Sequence, residues 1–161
     1  MKKIRDVMIY LCKNYPKPEH LSKARLTKLV YLVDWKSSIQ NGRQITQICW
    51  YFNHYGPYVA DVPRIAERDP VFHIKATLTE SNNNKDIISL NDHEDLELNL
   101  NEDERMLVDD IIKNTDDLEW KGFINLVYST YPVITSGRFE YLNLPKLAEE
   151  YKKHPAVRED A

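Results

Sequence analysis

Three residues of the second predicted helix have the types and the spacing for proton-transfer chemistry. Lys28, Tyr31 and Asp34 follow one another at i, i+3 and i+6, which places them on roughly one side of a helix. A lysine–aspartate pair beside a tyrosine, with His54 as a further acid or base, is one hypothesis for an enzyme site. The same trio is more often a surface ion pair or a network that positions the helix, so both interpretations stay open.

Other signals for catalysis or metal binding are weak. None of the five histidines lies at a metal-ligand spacing from another histidine or a cysteine. The acidic cluster at residues 92–95 could hold a cation, but it lacks the glycine turn and the ligand order of an EF-hand. Cys12 and Cys49 lie in apolar segments and are predicted to be buried free thiols. No Walker A loop, nucleophile-elbow serine or HExxH pattern occurs, so we expect no enzyme activity, no metal and no cofactor.

The charge distribution is strongly asymmetric. Residues 1–30 carry eight Lys/Arg against two acidic residues, a net charge of +6, whereas residues 91–119 carry twelve Asp/Glu against two basic residues, a net charge of −10. The basic segment favours one alternative, a nucleic-acid-binding regulator that uses Lys23, Arg25 and Lys28 on a recognition helix. The acidic sequence as a whole, with a pI near 6.0, argues against nucleic acid as a partner.

The acidic segment predicts a second kind of surface. Glu102, Asp103, Asp109 and Asp110 belong to one predicted helix, and an exposed acidic helix face attracts basic partners. These four residues are therefore candidates for binding a basic protein.

Hydrophobic periodicity predicts an α+β fold that is predominantly helical, with helices packed around a small three-stranded antiparallel sheet. The first helix covers about residues 2–14, and the second begins after an N-cap at Ser22. Predicted strands cover residues 45–53, 72–79 and 87–90, and the last two form a hairpin. The chain is predicted to be one domain over residues 1–151, followed by a polar tail at residues 152–161.

Helix signals continue through the second half of the chain. Asn101 and Glu104 have the spacing of a capping box. Asp116 or Asp117 is predicted to cap the next helix, which Pro132 should end. A last helix is predicted from about residue 144 to residue 151.

Residues 50–58 are the most distinctive stretch of the chain, because six of the nine are aromatic if histidine is counted. A strand alternates its two faces, so Tyr51 and Tyr55, with Tyr58 on the next element, could line a surface groove. Gly56 and Pro57 form a sharp corner and are predicted to start a short helix. Together with His54, these residues are candidates for protein recognition. The alternative is a core strand whose second face is covered by helices.

Three short motifs occur in order. They are K-L-x-Y-x-x-D at residues 28–34, G-R-x-I-T at residues 42–46 and G-P at residues 56–57. This series resembles the Panacea domain, the SocA-like antitoxin domain found in bacteria and phages. The resemblance covers roughly residues 1–130 and is strongest over residues 25–60. Pro63 departs from it, because the family usually continues a helix after Gly-Pro.

The resemblance implies an antitoxin that neutralises a cognate toxin by forming a direct complex. Some family members act as proteolytic adaptors, so a protease or a chaperone is a further possible partner. The resemblance implies no catalytic residue. An antitoxin-type binding protein is thus the leading interpretation, ahead of the nucleic-acid-binding regulator and of an enzyme.

The chain lacks the signals that would place it in or across a membrane. Arg5 and Asp6 interrupt the N-terminus where a signal peptide would have its apolar core. No stretch approaches the ~20 apolar residues of a membrane span. We therefore expect a cytoplasmic protein with no membrane partner.

Overall fold

The computed structural model describes residues 2–91 and 96–154. Its helices are α1 (Lys2–Asn14), α2 (Lys23–Asn41), α3 (Asp61–Arg68), α4 (Glu102–Thr115), α5 (Trp120–Tyr128), α6 (Tyr131–Thr135) and α7 (Leu144–Lys152), with a short 3₁₀ turn at Pro18–His20. Its strands are β1 (Trp50–Asn53), β2 (Gly56–Tyr58), β3 (Phe72–Leu78), β4 (Asn84–Leu90) and β5 (Tyr141–Leu142). The predicted α+β class, predominantly helical with a small three-stranded antiparallel sheet, is confirmed.

The central element is α2, which packs against α1, α3, α4 and α7. Side chains around its whole circumference are buried, as expected of a helix enclosed by others. The Ser22 side chain accepts a hydrogen bond from the backbone N–H of Arg25, which confirms the predicted N-cap. Gly42 ends the helix at φ +73°, a left-handed conformation that glycine adopts without steric cost.

The three-stranded sheet has the order β2-β1-β5 and is antiparallel throughout. Its composition differs from the predicted one, because β3 and β4 form a separate two-stranded hairpin. Gly56 and Pro57 do not start a helix, which corrects that prediction. They belong to β2, which turns back and pairs with β1, so that Asn53 lies opposite Gly56 and Tyr51 lies opposite Tyr58.

Two predicted helix boundaries are confirmed or corrected by their caps. Asn101 and Glu104 form the expected capping box at the start of α4. The N-cap of α5 is Glu119, and its side chain makes no capping bond, so neither Asp116 nor Asp117 has the predicted role. Pro132 does not end α5. It lies in the first turn of α6, where backbone N–H groups have no acceptor within the helix, so a residue without an N–H is tolerated.

One connected core joins the elements. It includes apolar side chains of α1, α2, α4, α5 and α7 together with Trp50 and Phe52 of β1. Within the residues that the structure describes, no helix has the length and apolar character needed to cross a membrane. The single-domain boundary at residue 151 stays a prediction. Residues 92–95 and residues 155–161 of the predicted tail lie outside the described residues.

Candidate functional site

Asp34 is fully buried and anchors the loop that connects α2 to β1. Its carboxylate accepts hydrogen bonds from the backbone N–H groups of Ile45 and Thr46 at 3.1 and 3.0 Å, and from Trp50 Nε1 at 2.9 Å. The Thr46 hydroxyl and the Gln44 amide also donate to it. Burial raises the pKa of Asp34, while the bonds from Thr46, Trp50 and Ile45 oppose that rise. This aspartate therefore organises the loop and is not available to a substrate.

Tyr31 is also enclosed by protein. Its hydroxyl hydrogen-bonds the Thr130 hydroxyl at 2.8 Å, and its ring meets that of Trp50 edge to face. Burial raises the pKa of Tyr31 far above its ordinary value. The predicted trio thus does not form a proton-transfer site, since Tyr31 and Asp34 are both engaged within the core.

Lys28 differs from both of these residues. Only 6% of it is exposed, yet among the described residues its amine has no hydrogen-bond or ion-pair partner. Burial lowers its pKa to about 8. The side chain lines an open cleft with a volume of about 910 Å³, which we call the Lys28 cleft.

Four elements enclose the Lys28 cleft. They are the first half of α2, the turn at residues 53–58 (which includes the end of β1 and all of β2), the helix α3, and the helix α5. Its aromatic lining consists of Tyr55, Tyr58, Trp120 and Tyr128. The wall is close-packed at Gly56, where a Cβ atom would lie 2.7 Å from Tyr128 Cε1. Gly56 also has φ +98°, so glycine is required there for both conformation and space.

The charges lining the Lys28 cleft are mostly positive. Lys23 binds Glu67 at 3.0 Å, which leaves that carboxylate neutralised. Arg64 and Arg68 lie one turn apart on α3, are exposed, and make no ion pair within the described part of the chain. The cleft is therefore a basic, aromatic depression in a protein whose net charge is −3.

A second candidate surface adjoins the Lys28 cleft at the same turn. Tyr51 contacts Tyr141 with ring centroids 5.1 Å apart, and His54 contacts Phe139 at 4.9 Å. Tyr55 is 80% exposed and lies beside His54. We call these five residues the aromatic surface. Three of them were predicted from residues 50–58, and the structure brings them together.

The sequence-predicted residues of this stretch divide between two places. Tyr51, His54 and Tyr55 belong to the aromatic surface, and Tyr55 also borders the Lys28 cleft. Tyr58 is half-buried in the wall of the cleft, while Gly56 and Pro57 are buried.

Phe139 and Tyr141 were missed from the sequence. Their side chains are 53% and 75% exposed. Phe139 has φ +69°, a conformation that is costly for an aromatic residue and that directs it outward beside His54. The alternation of charged and apolar residues over 138–142 was the available signal, but β5 is only two residues long.

The acidic candidates on α4 are exposed but not equivalent. Asp109 accepts a hydrogen bond from the Tyr10 hydroxyl at 2.8 Å, and Asp110 binds Lys36 at 3.3 Å. Glu102 and Asp103 lie in the first turn, where the helix dipole favours them, and make no ion pair within the described residues. Two of the four candidates thus hold α4 to its neighbours, and the other two are free to bind a partner.

Helix α2 does not present the exposed basic face predicted for a nucleic-acid-binding regulator. Arg25 and Lys28 are buried, and Lys23 is paired with Glu67 and Asp86. A duplex needs exposed cations along one helix face, and this helix presents none of these three as a free surface charge.

Arg25 shows how thoroughly this part of α2 is buried. Its guanidinium donates to the carbonyl oxygens of Thr115 and Leu118 at 2.9 and 2.8 Å and to the Tyr15 hydroxyl at 3.0 Å. It also lies 4.4 Å from the centre of the Phe123 ring. Arg25 therefore joins α2 to the connection between α4 and α5.

The two cysteines are not alike. Cys12 is half-buried, and burial raises the pKa of its thiol to about 12. Cys49 is exposed, which corrects the prediction of a buried thiol, because it lies just before β1 on the side opposite to buried Ile48 and Trp50. Residues 92–95, the predicted cation cluster, lie outside the described residues.

Comparison with known proteins gives a family match. A family model described as antitoxin SocA-like, Panacea domain, matches residues 26–132. No curated protein and no solved structure matches significantly. The matched span includes almost all of α2 and the turn that borders the Lys28 cleft, whereas Phe139 and β5 lie beyond it.

Proposed function

The chain belongs to the antitoxin SocA-like, Panacea domain family, and on this basis we propose that it neutralises a cognate toxin by binding it directly in the cytoplasm. Family membership is the observation that carries the proposal. Surface features support it, because the described residues include a cluster of exposed aromatic side chains of the kind that protein interfaces use.

The aromatic surface is the proposed centre of the toxin interface. Tyr55 and Tyr141 offer large, amphipathic contact areas with few rotatable bonds, so ordering them on binding costs little entropy. Ring contacts from Tyr51 and His54 hold the cluster in place, and its strands hydrogen-bond to one another. Such preorganisation favours affinity.

The first turn of α4 is the proposed second contact. Glu102 and Asp103 carry free negative charge, which would attract a basic toxin and speed its association. Charge at an interface rim affects the association rate more than the dissociation rate. The two surfaces therefore predict different kinetic effects when they are altered.

The test of the function is co-expression with the product of the neighbouring gene. We expect that product to be toxic when expressed alone and this protein to restore growth. We also expect the two proteins to elute together in size-exclusion chromatography. A neighbouring product that is neither toxic nor bound, followed by the same result with a panel of toxins from the family, would sink the proposal.

The interface is tested with Tyr55→Ala and Tyr141→Ala. Each should weaken the complex by roughly tenfold or more, since truncating a central aromatic typically costs about 1–2 kcal/mol or more. Leu78→Ala is the matched control, because Leu78 is 64% exposed but belongs to the separate β3–β4 hairpin. Equal affinity of all three variants would remove the interface from the aromatic surface.

The acidic contact is tested by the double substitution Glu102→Gln and Asp103→Asn. These changes remove charge without placing a cation at the start of α4. We expect slower association, mainly at low salt, with little change in dissociation. An unchanged association rate would leave α4 outside the interface.

Masking of the toxin and delivery to a protease differ in the lifetime of the toxin. After protein synthesis is stopped, a masked toxin persists in the complex, whereas a delivered toxin disappears faster when this protein is present. Immunoblots of the toxin with and without this protein distinguish the two routes.

A further inference from the structure

The Lys28 cleft contains an unusual combination of groups. A lysine whose side chain is largely buried lines an open cavity, and its amine has no acceptor among the described residues. We propose that this cleft is a binding site for a nucleotide, whose phosphates contact Lys28, Arg64 and Arg68 and whose base lies against the aromatic wall. This inference does not depend on toxin binding.

The first support is the charge of the cleft. Lys28, Arg64 and Arg68 are cations without ion-pair partners within residues 2–91 and 96–154, and the only acidic side chain in the lining, Glu67, is already bound by Lys23. Arginine forks match phosphate oxygens, and a lysine supplies a further point charge. This composition selects an anion and rejects a metal ion.

The second support is the placement of Lys28. Burying an ammonium group without a partner destabilises the folded state, and a bound anion removes that penalty. The backbone of Lys28 belongs to a helix that is packed on all sides, so the position from which the amine enters the cleft is set by the fold. Its lowered pKa has the same physical origin as the penalty.

The third support is the aromatic wall. Trp120, Tyr55, Tyr58 and Tyr128 line the same cavity as the cations. Nucleobases stack on aromatic rings with little dependence on sequence, whereas inorganic phosphate gains nothing from them. A volume of about 910 Å³ is at the upper end of small-molecule sites and accommodates a base, a ribose and phosphates.

Intrinsic fluorescence offers a direct readout. The chain has three tryptophans, and Trp120 is the one that lines the cleft, being 48% exposed, while Trp35 and Trp50 are buried elsewhere. Titration with ATP, GTP and AMP should change the emission of Trp120. Trp120→Phe should abolish that signal but keep binding measurable by isothermal calorimetry, since phenylalanine also stacks.

Variants then test each part of the site. Lys28→Met and the double substitution Arg64→Gln and Arg68→Gln should each weaken nucleotide binding by about tenfold or more, as expected when a charge-assisted phosphate contact is lost. Lys13→Met is the matched control, because Lys13 is exposed on α1 and does not line the cleft. Circular dichroism of each variant checks that it is folded.

Three outcomes overturn the proposal. The first is that none of the three nucleotides binds at millimolar concentration. The second is that folded Lys28→Met protein binds nucleotide as tightly as the parent does. The third is that inorganic triphosphate binds as tightly as ATP. Binding of ATP that exceeds that of triphosphate and of adenosine, and that both sets of cationic variants weaken, supports it.

Discussion

The two halves of α2 each contain a buried ionisable side chain, but only one of these side chains has hydrogen-bond partners within the part of the chain that the structure describes. Asp34, in the second half of the helix, accepts hydrogen bonds from the loop at residues 44–46 and from Trp50. Lys28, less than two turns earlier, is also buried, but it borders an open cleft and has no partner among the described residues. Both belong to the same short motif, K-L-x-Y-x-x-D.

The difference separates a structural role from an available one. A buried charge whose hydrogen-bonding capacity is filled stabilises the fold, and its removal leaves its partners buried without a hydrogen bond. A buried charge with empty capacity destabilises the free protein and gains from any ligand that fills it. Substitutions at Asp34, Arg25, Lys28 and Thr46 test this contrast, and we expect their effects on stability to decrease in that order.

Asp34→Ala should have the largest effect. Removing the carboxylate leaves the N–H groups of Ile45, Thr46 and Trp50 buried without an acceptor, so we expect a loss of about 3–5 kcal/mol in the free energy of unfolding. Urea denaturation measures it. Asp110→Asn is the control, because its ion pair with Lys36 is exposed and should contribute less than about 1 kcal/mol. If Asp34→Ala and Asp110→Asn lowered the free energy of unfolding equally, Asp34 would have no special structural role.

Arg25→Met should have the next largest effect. Arg25 is the satisfied cation of α2, and its loss leaves the carbonyl oxygens of buried Thr115 and half-buried Leu118 without this donor. We expect about 3 kcal/mol of destabilisation by the same denaturation assay. Arg105→Met, an exposed change on α4, should shift stability by less than about 0.5 kcal/mol.

Lys28→Met should act in the opposite direction. Methionine has a similar shape and no charge to desolvate, so the variant should be more stable than the parent by about 2 kcal/mol at pH 7. The folded-state pKa of about 8 lies below the ordinary value of 10.5. Between these pH values the unfolded chain binds more protons than the folded one, so parental stability rises with pH.

The pH dependence of that gain supplies the check. The advantage of Lys28→Met should be complete below pH 8 and should shrink as the pH rises toward 10.5, which denaturation at a series of pH values measures. Lys13→Met should have no stability advantage that depends on pH in this way. A destabilised Lys28→Met protein would mean that the amine has a structural partner after all.

Thr46→Val should have the smallest effect of the four. Valine keeps the shape of threonine but cannot donate to Asp34, whose other donors remain. A loss of about 1–2 kcal/mol is expected in thermal or urea denaturation. Combined with Asp34→Ala, it should add less than it does alone, because the two residues share one interaction. Full additivity would argue against the network.

Local signals explain which parts of the fold could be predicted. The N-cap at Ser22 and the capping box of Asn101 and Glu104 depend on residues within one helical turn, and both are confirmed. The same holds for the hairpin of β3 and β4, whose strands alternate and face each other across a short polar turn.

Parts that depend on distant residues were missed or misread. Gly-Pro is compatible both with a helix start and with a strand turn, and only pairing with β1 decides between them. A lysine is normally exposed, and the burial of Lys28 results from α3 and α5, which lie far along the chain. The burial of Lys28 in its cleft could therefore not be predicted, although two aromatic residues of the cleft wall, Tyr55 and Tyr58, and three residues of the aromatic surface could.

The pairing of β5 with β1 also has a consequence for synthesis on the ribosome. β1 finds its second neighbour only when residues 141–142 have been translated, about 90 residues after β1 itself. At roughly 5–20 residues per second, that edge stays unpaired for about 5–20 s in each new molecule. Open strand edges can pair with other chains, so during this interval a nascent molecule is exposed to such pairing.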